Sequence, residues 1–263
     1  MQRLGRNTNG YFGETLAIDE VLDQTLADAR RLDWTVTHLD AGPGLRLAVL
    51  TRPPRIVSNR SPRIYVSAGI HGDEPAGPLA VRRLVAEDAL PRDAWVWLCP
   101  CLNPTGFRRN TRETIDGLDL NRDYREPRSP EVRTHVAWLD SLPDFDLTVC
   151  LHEDWEAAGF YLYELNPENR PSLAPPTLKA VSAVCPIDSS PMIDGREARL
   201  GLISPNLDPA TRPDWPEAFY LIQSKTRLSY TVESPSDYPL ETRVQALAVA
   251  TKTLLGSLTL PVG

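Results

Sequence analysis

The chain has 263 residues, of which 24 % are charged and 41 % hydrophobic, and a formal net charge of −7. That balance excludes a disordered polymer and argues against nucleic acid, whose phosphates need a basic face. No run approaches the roughly 18 apolar residues of a membrane span, and the opening MQRLGRNTNGYFGE lacks the apolar region of a secretory signal, so a cytoplasmic protein with neither a membrane nor a nucleic-acid partner is expected.

In chain order, residues 14–32 have the composition of a helix with Leu22, Leu26 and Ala29 on one face. Segments 35–39 and 45–50 read as a hairpin around DAGPG. RIYVSAG (63–69) is a candidate central strand, followed by a helix over 75–90 whose start is restricted by Pro75 and Pro78. AWVWLCP (94–100) is a further buried strand, and 103–124 is turn-rich with four arginines. Ser129 and Pro130 are start signals for a helix over 129–142. Strands are expected at 144–152 and 159–165, then a proline-rich, loop-like excursion at about 166–217. EAFYLIQ (217–223) and RLSYTVE (227–233) return to strand character, and a helix near Pro239 closes the chain. Cys99, Cys101 and Cys150 lie in apolar runs and read as buried reduced thiols. Strands alternating with helices predict an α/β/α sandwich with a mixed, largely parallel sheet, in one domain spanning 1–263.

Three strand ends carry chemistry. His71 and Glu74 follow the strand 63–69, His152 ends the strand 144–152, and Glu233 ends 227–233. Ligands of open α/β sheets collect beyond the carboxyl ends of the strands, so the four residues can converge. Two imidazoles and one carboxylate make the ligand set of an open catalytic zinc site. A further carboxylate must take up the proton of the attacking water, and Glu233 is the candidate. His38, in a hairpin strand, and His135, in mid-helix, read as ordinary residues. Glu153 and Asp154, next to His152, read as supporting or field-shaping groups rather than ligands.

AGIHGDEPAG, CLNPTGFRRNTRETIDGLDLNRDY, LHED and TVESPSD occur in this order. Together they resemble the zinc carboxypeptidase superfamily, and most of all its smaller microbial branch. That branch includes murein peptide amidases and the succinylglutamate desuccinylase/aspartoacylase group. The resemblance implies one zinc ion per chain on His71, Glu74 and His152, with Asp119 orienting the first histidine. It implies Arg112 as the group that stabilises the oxyanion, with Arg109, also a candidate substrate-binding residue, competing for that role. Asn121 and Arg122 match the pair that grips a substrate carboxylate, and Glu233 matches the general base. Tyr161, Tyr163 and Tyr220 are candidates for a tyrosine closing over the substrate. The implied activity is zinc-dependent hydrolysis of an amide bond beside a residue with a free carboxylate, on a small peptide. The alternatives are N-acyl amino acid deacylation and a non-catalytic zinc-binding module.

Overall fold

A computed structural model describes residues 3, 4 and 14–259. The opening stretch read above for a secretory signal lies almost wholly outside them. The elements are α1 (Ile18–Arg31), β1 (Thr35–Asp40), β2 (Arg46–Arg52), β3 (Arg63–Ala68), α2 (Ala76–Ala86), β4 (Trp95–Cys99) and α3 (Pro104–Phe107). They continue with α4 (Pro130–Asp140), β5 (Leu147–Asp154), β6 (Tyr161–Leu165), α5 (Ala174–Val181), β7 (Met192–Ile193), β8 (Arg196–Glu197) and β9 (Leu202–Ile203). The last are α6 (Glu217–Ser224), β10 (Ser229–Pro235) and α7 (Leu240–Thr259).

Eight strands form one sheet in the order β1-β2-β4-β3-β5-β10-β6-β9. Its four central strands, β4, β3, β5 and β10, run parallel, and antiparallel neighbours flank them. Five of the six residues of β3 are buried, as expected of a strand covered on both faces. The pleat sends successive residues to opposite cores. Ile64, Val66 and Ala68 pack with apolar residues of α1, α2, α5 and α7, while Tyr65 joins the core that includes α4 and α6. The result is the expected sandwich of helices on both faces of a mixed, largely parallel sheet. The chain visits β4 on one side of β3 and then β5 on the other, which opens a crevice at the carboxyl ends of β3 and β5.

Two expectations are corrected. EAFYLIQ is not a strand but α6, lying against β5 and β10. Residues 218–222 are all buried, and a continuous apolar run carries no period that separates a buried strand from a buried helix. The excursion at 166–217 is not plain loop. It holds α5, with prolines in its first turn, the β7–β8 hairpin, and the edge strand β9. Elements of two residues fall below what sequence periodicity resolves. The four cysteines are buried free thiols. Among the described residues, no helix is long and apolar enough to cross a membrane.

Candidate active site

Strand register builds the floor of the site. Glu233 on β10 pairs with His152 on β5 and, on its other side, with Tyr161 on β6. Paired residues on neighbouring strands point to the same face, so His152, Glu233 and Tyr161 form one row. Thr231 and Tyr163, which also pair, lie two residues back on the same face. Both rows line a cavity of about 510 Å³, a volume suited to a small ligand.

The turn after β3 supplies the other two residues. Gly69 takes a φ of +63°, and a Cβ there would come within 2.9 Å of the Phe107 ring. At Gly72 the constraint is tighter, because a Cβ would lie 2.1 Å from the Gly106 carbonyl carbon and 2.3 Å from Phe107 N. The GIHGDE turn is therefore packed directly on the backbone of α3. Asn103 holds that helix by accepting from Gly106 N–H at 2.8 Å. Its Nδ2 donates to the Arg112 carbonyl at 3.1 Å, and the same carbonyl accepts from Gly72 N–H at 3.3 Å. Arg112 is thereby anchored against the turn that carries His71 and Glu74. Gly72→Ala should cost about 1–3 kcal/mol or more in urea-unfolding stability and weaken metal binding, because backbone on both sides must move. Retention of both properties would show that the close approach does not matter.

His71 Nδ1 lies 2.5 Å from Glu74 Oε1, and His152 Nδ1 lies 3.1 Å from Glu74 Oε2. The Nε2 of His71 turns to Asp119 Oδ1 at 3.2 Å. Asp119 also accepts from Arg112 Nε at 3.1 Å, so one carboxylate orients both the histidine and the arginine. The second Glu74 oxygen accepts from Glu153 N–H at 3.0 Å. Glu153 itself faces away from the triplet, accepting from Ala76 N–H and from Arg243 Nη1, each at 2.5 Å. It is a strut between β5, α2 and α7.

Burial disfavours charge on His71, but Glu74 and Asp119 outweigh it and raise its pKa to about 8. Burial likewise works against Glu74, yet the two imidazoles hold it well below the usual carboxylate range. His152 is shifted down by its burial. Glu233 is shifted well above the ordinary range, first by burial and then by the charge of Glu74. The chemistry of this donor set fits a divalent metal. His71, Glu74 and His152 are all buried, their donor atoms lie within 4.8 Å of one another, and Asp119 is placed to fix the orientation of His71.

Asn121, Arg122 and Arg112 line the same cavity. Arg109 does not; its Nη1 turns to the Ile115 carbonyl at 3.4 Å on the exposed side of the loop. Tyr161 and Tyr163 line the cavity, with their hydroxyls donated to Asp154 and Asp194. Tyr220 is turned away and donates to Asp140 at 2.6 Å. His38 is exposed, and His135 is a buried core histidine held between two tyrosine hydroxyls. The excursion adds residues that no motif announced: Asp194 and Arg196 at the β7–β8 hairpin, and Arg212 with its guanidinium 4.8 Å from the Phe219 ring centroid. Arg212 is lowered in pKa first by burial and then by the charge of Arg196.

Fold and site together define an α/β protein of carboxypeptidase-like fold with a candidate metal site of two histidines and one carboxylate. The family model described as succinylglutamate desuccinylase/aspartoacylase catalytic domain matches residues 60–184, which include His71, Glu74, Arg112, Asp119, Asn121, Arg122 and His152. Carboxypeptidase SOL1 of Arabidopsis thaliana is 27 % identical over 135 residues, covering 43 % of this chain and only 27 % of that protein. A candidate metallopeptidase from Shewanella amazonensis has the same fold, with a TM-score of 0.79 and 23 % identity over 92 % of this chain and 93 % of its own. The tripeptide-bound cell shape determinant Csd4 of Helicobacter pylori superposes with a TM-score of 0.60 and 21 % identity, over 82 % of this chain and 56 % of its own. Over residues 60–184 the chain is therefore similar to the succinylglutamate desuccinylase/aspartoacylase catalytic domain, and its fold is that of solved metallopeptidase and carboxypeptidase structures.

Proposed function

We propose that this chain is a zinc-dependent amide hydrolase of the metallocarboxypeptidase type, cleaving beside a residue with a free carboxylate. The observation that carries this reading is the convergence of His71, Glu74 and His152 within 4.8 Å, with Glu233 on the strand position next to His152. Zinc bound there would supply Lewis acidity and a water acidic enough to ionise near neutral pH. The chain's own groups have separate tasks. Arg122 and Asn121 hold the substrate carboxylate. Arg112, kept in place by Asp119, offers its charge to the carbonyl oxygen as negative charge develops. Glu233 takes a proton from the attacking water and returns it to the leaving nitrogen. The whole chain is read as one catalytic unit, acting on a short peptide in the cytoplasm. The cavity volume and the tripeptide held by Csd4 support a substrate of that size.

A second reading, N-acyl amino acid deacylation, is favoured by the family match over 60–184 and by Arg212. Among the described residues, neither Arg122 nor Arg212 has a carboxylate partner within ion-pair distance, so the wall can take an acid with two negative groups. A non-catalytic module has no use for Glu233 or Arg112 beside the metal site.

The test is a mass-spectrometric assay of zinc-loaded protein. The panel holds short peptides with free and amidated C-termini, cell-wall peptides, and N-acyl amino acids. Cleavage only of free-carboxylate peptides supports the first reading, cleavage only of N-acyl amino acids the second, and silence with zinc bound the non-catalytic one. Arg122→Ala should raise KM for free-carboxylate substrates about tenfold with kcat little changed. An unchanged KM would remove Arg122 from the clamp.

A further inference from the structure

Behind the cavity lies a buried polar network that the mechanism above does not use. Glu217, the first residue of α6, is 1 % exposed. Its carboxylate accepts from Tyr65 Oη and Ser67 Oγ, each at 2.8 Å, two side chains on one face of β3. Its backbone N–H donates to Asn121 Oδ1 at 3.0 Å. One residue is therefore tied to the sheet by its side chain and to the cavity wall by its main chain.

Both hydroxyls donate to the Glu217 carboxylate; burial raises the pKa of that group to about 7, and the bonds from Tyr65 and Ser67 work against the rise. Tyr65 gives its proton to Glu217, so its oxygen is left to accept from His135 Nε2 at 2.8 Å. His135 Nδ1 then accepts from the Tyr124 hydroxyl at 2.7 Å. This order needs a neutral imidazole, and burial lowers the His135 pKa to about 3. Asn121 and Tyr124, on either side of Arg122, are thus joined to the same residue, Asn121 through the Glu217 backbone N–H and Tyr124 through His135 and Tyr65 to its carboxylate. A buried carboxylate costs several kcal/mol unless it is well hydrogen-bonded, so its presence here calls for a use. Asn121 supplies that use. Its oxygen is occupied by Glu217 N–H, so the amide cannot flip, and Nδ2 remains as the donor for the cavity. A donor is what a substrate carboxylate requires.

We infer that Glu217 is a positioning residue that holds the Asn121 amide with Nδ2 toward the cavity and sets the turn carrying Arg122. The inference rests on the proposed carboxylate clamp. Its test is Glu217→Gln, which keeps the size but replaces one acceptor by a donor. With a free-carboxylate peptide, KM should rise about tenfold and kcat stay within about twofold. Zinc stoichiometry should not change. In an Asn121→Ala background, Glu217→Gln should add nothing to KM, because it acts through Asn121. An equal fall in kcat, or additive KM effects, would assign Glu217 a merely structural role and overturn the inference. The Asn121 side-chain amide resonances give a readout that needs no substrate: they should shift in Glu217→Gln, and unmoved resonances would overturn the positioning role. Should wild-type protein fail to distinguish free from amidated peptides, the clamp reading fails by itself, while the resonances still decide the positioning. Tyr65→Phe, which removes one of the two hydroxyls on the carboxylate, is read in the same way if Glu217→Gln does not fold.

Discussion

Glu233→Gln should bind zinc as the wild type does and lose about 10²–10⁴-fold in turnover. The substitution keeps volume and polarity but removes the ability to take up a proton. Position argues for the effect: Glu233 stands in the same row as His152 and Tyr161, inside the cavity. Asp154 is the competing carboxylate, and it is already committed, accepting from Tyr161 Oη at 2.9 Å and Glu156 N–H at 2.8 Å. Without a metal, burial and the nearby Glu74 charge make Glu233 hard to ionise. A dication among the ligands reverses the sign of that field and favours the carboxylate a base requires. A Glu233→Gln variant with near-normal turnover would end the assignment, and Asp154→Asn would be the next variant to make.

His152→Ala should weaken zinc binding by more than the roughly 10–100-fold typical of losing a residue that only orients a ligand, and should abolish measurable hydrolysis. Asp119→Asn provides that comparison within the same site, since Asp119 touches His71 without belonging to the triplet. The structural reason is that Glu74 lies between the two imidazoles, with one on each oxygen. Removing His152 takes away one donor and leaves half of a buried carboxylate without its imidazole partner. Competition against a chromophoric chelator measures the affinities. Full zinc occupancy in His152→Ala would move the metal to other ligands.

Much of the site was legible because its residues lie next to strong local signals. His71, Glu74, His152 and Glu233 each follow or end an apolar run that could be read as a strand, and parallel sheets present their carboxyl ends on one edge. The arginines were less legible. Arg109 and Arg112 are three residues apart in one turn-rich segment, and no local property separates them. The distinction arises from Asn103 and Gly72, which bind the Arg112 carbonyl and leave Arg109 on the outer side. In the proline-rich segment that forms the wall with Arg196 and Arg212, no local signal singles out either arginine, because its short elements gain their order from packing against β6 and α6.

By itself, the sequence determined the class of fold, the order of its central elements and the residue types of a candidate metal site. Hydrophobic pattern, turn residues and spacing act over a few residues, and these features need no more than that. The tertiary structure decided that EAFYLIQ is a helix, that Arg112 rather than Arg109 stands beside Glu74, and that Glu217 links the sheet to Asn121. Each of those outcomes depends on contacts between segments far apart in the chain. The bond from Tyr65 to Glu217 spans 152 positions, and only the folded sheet brings its ends to hydrogen-bonding distance.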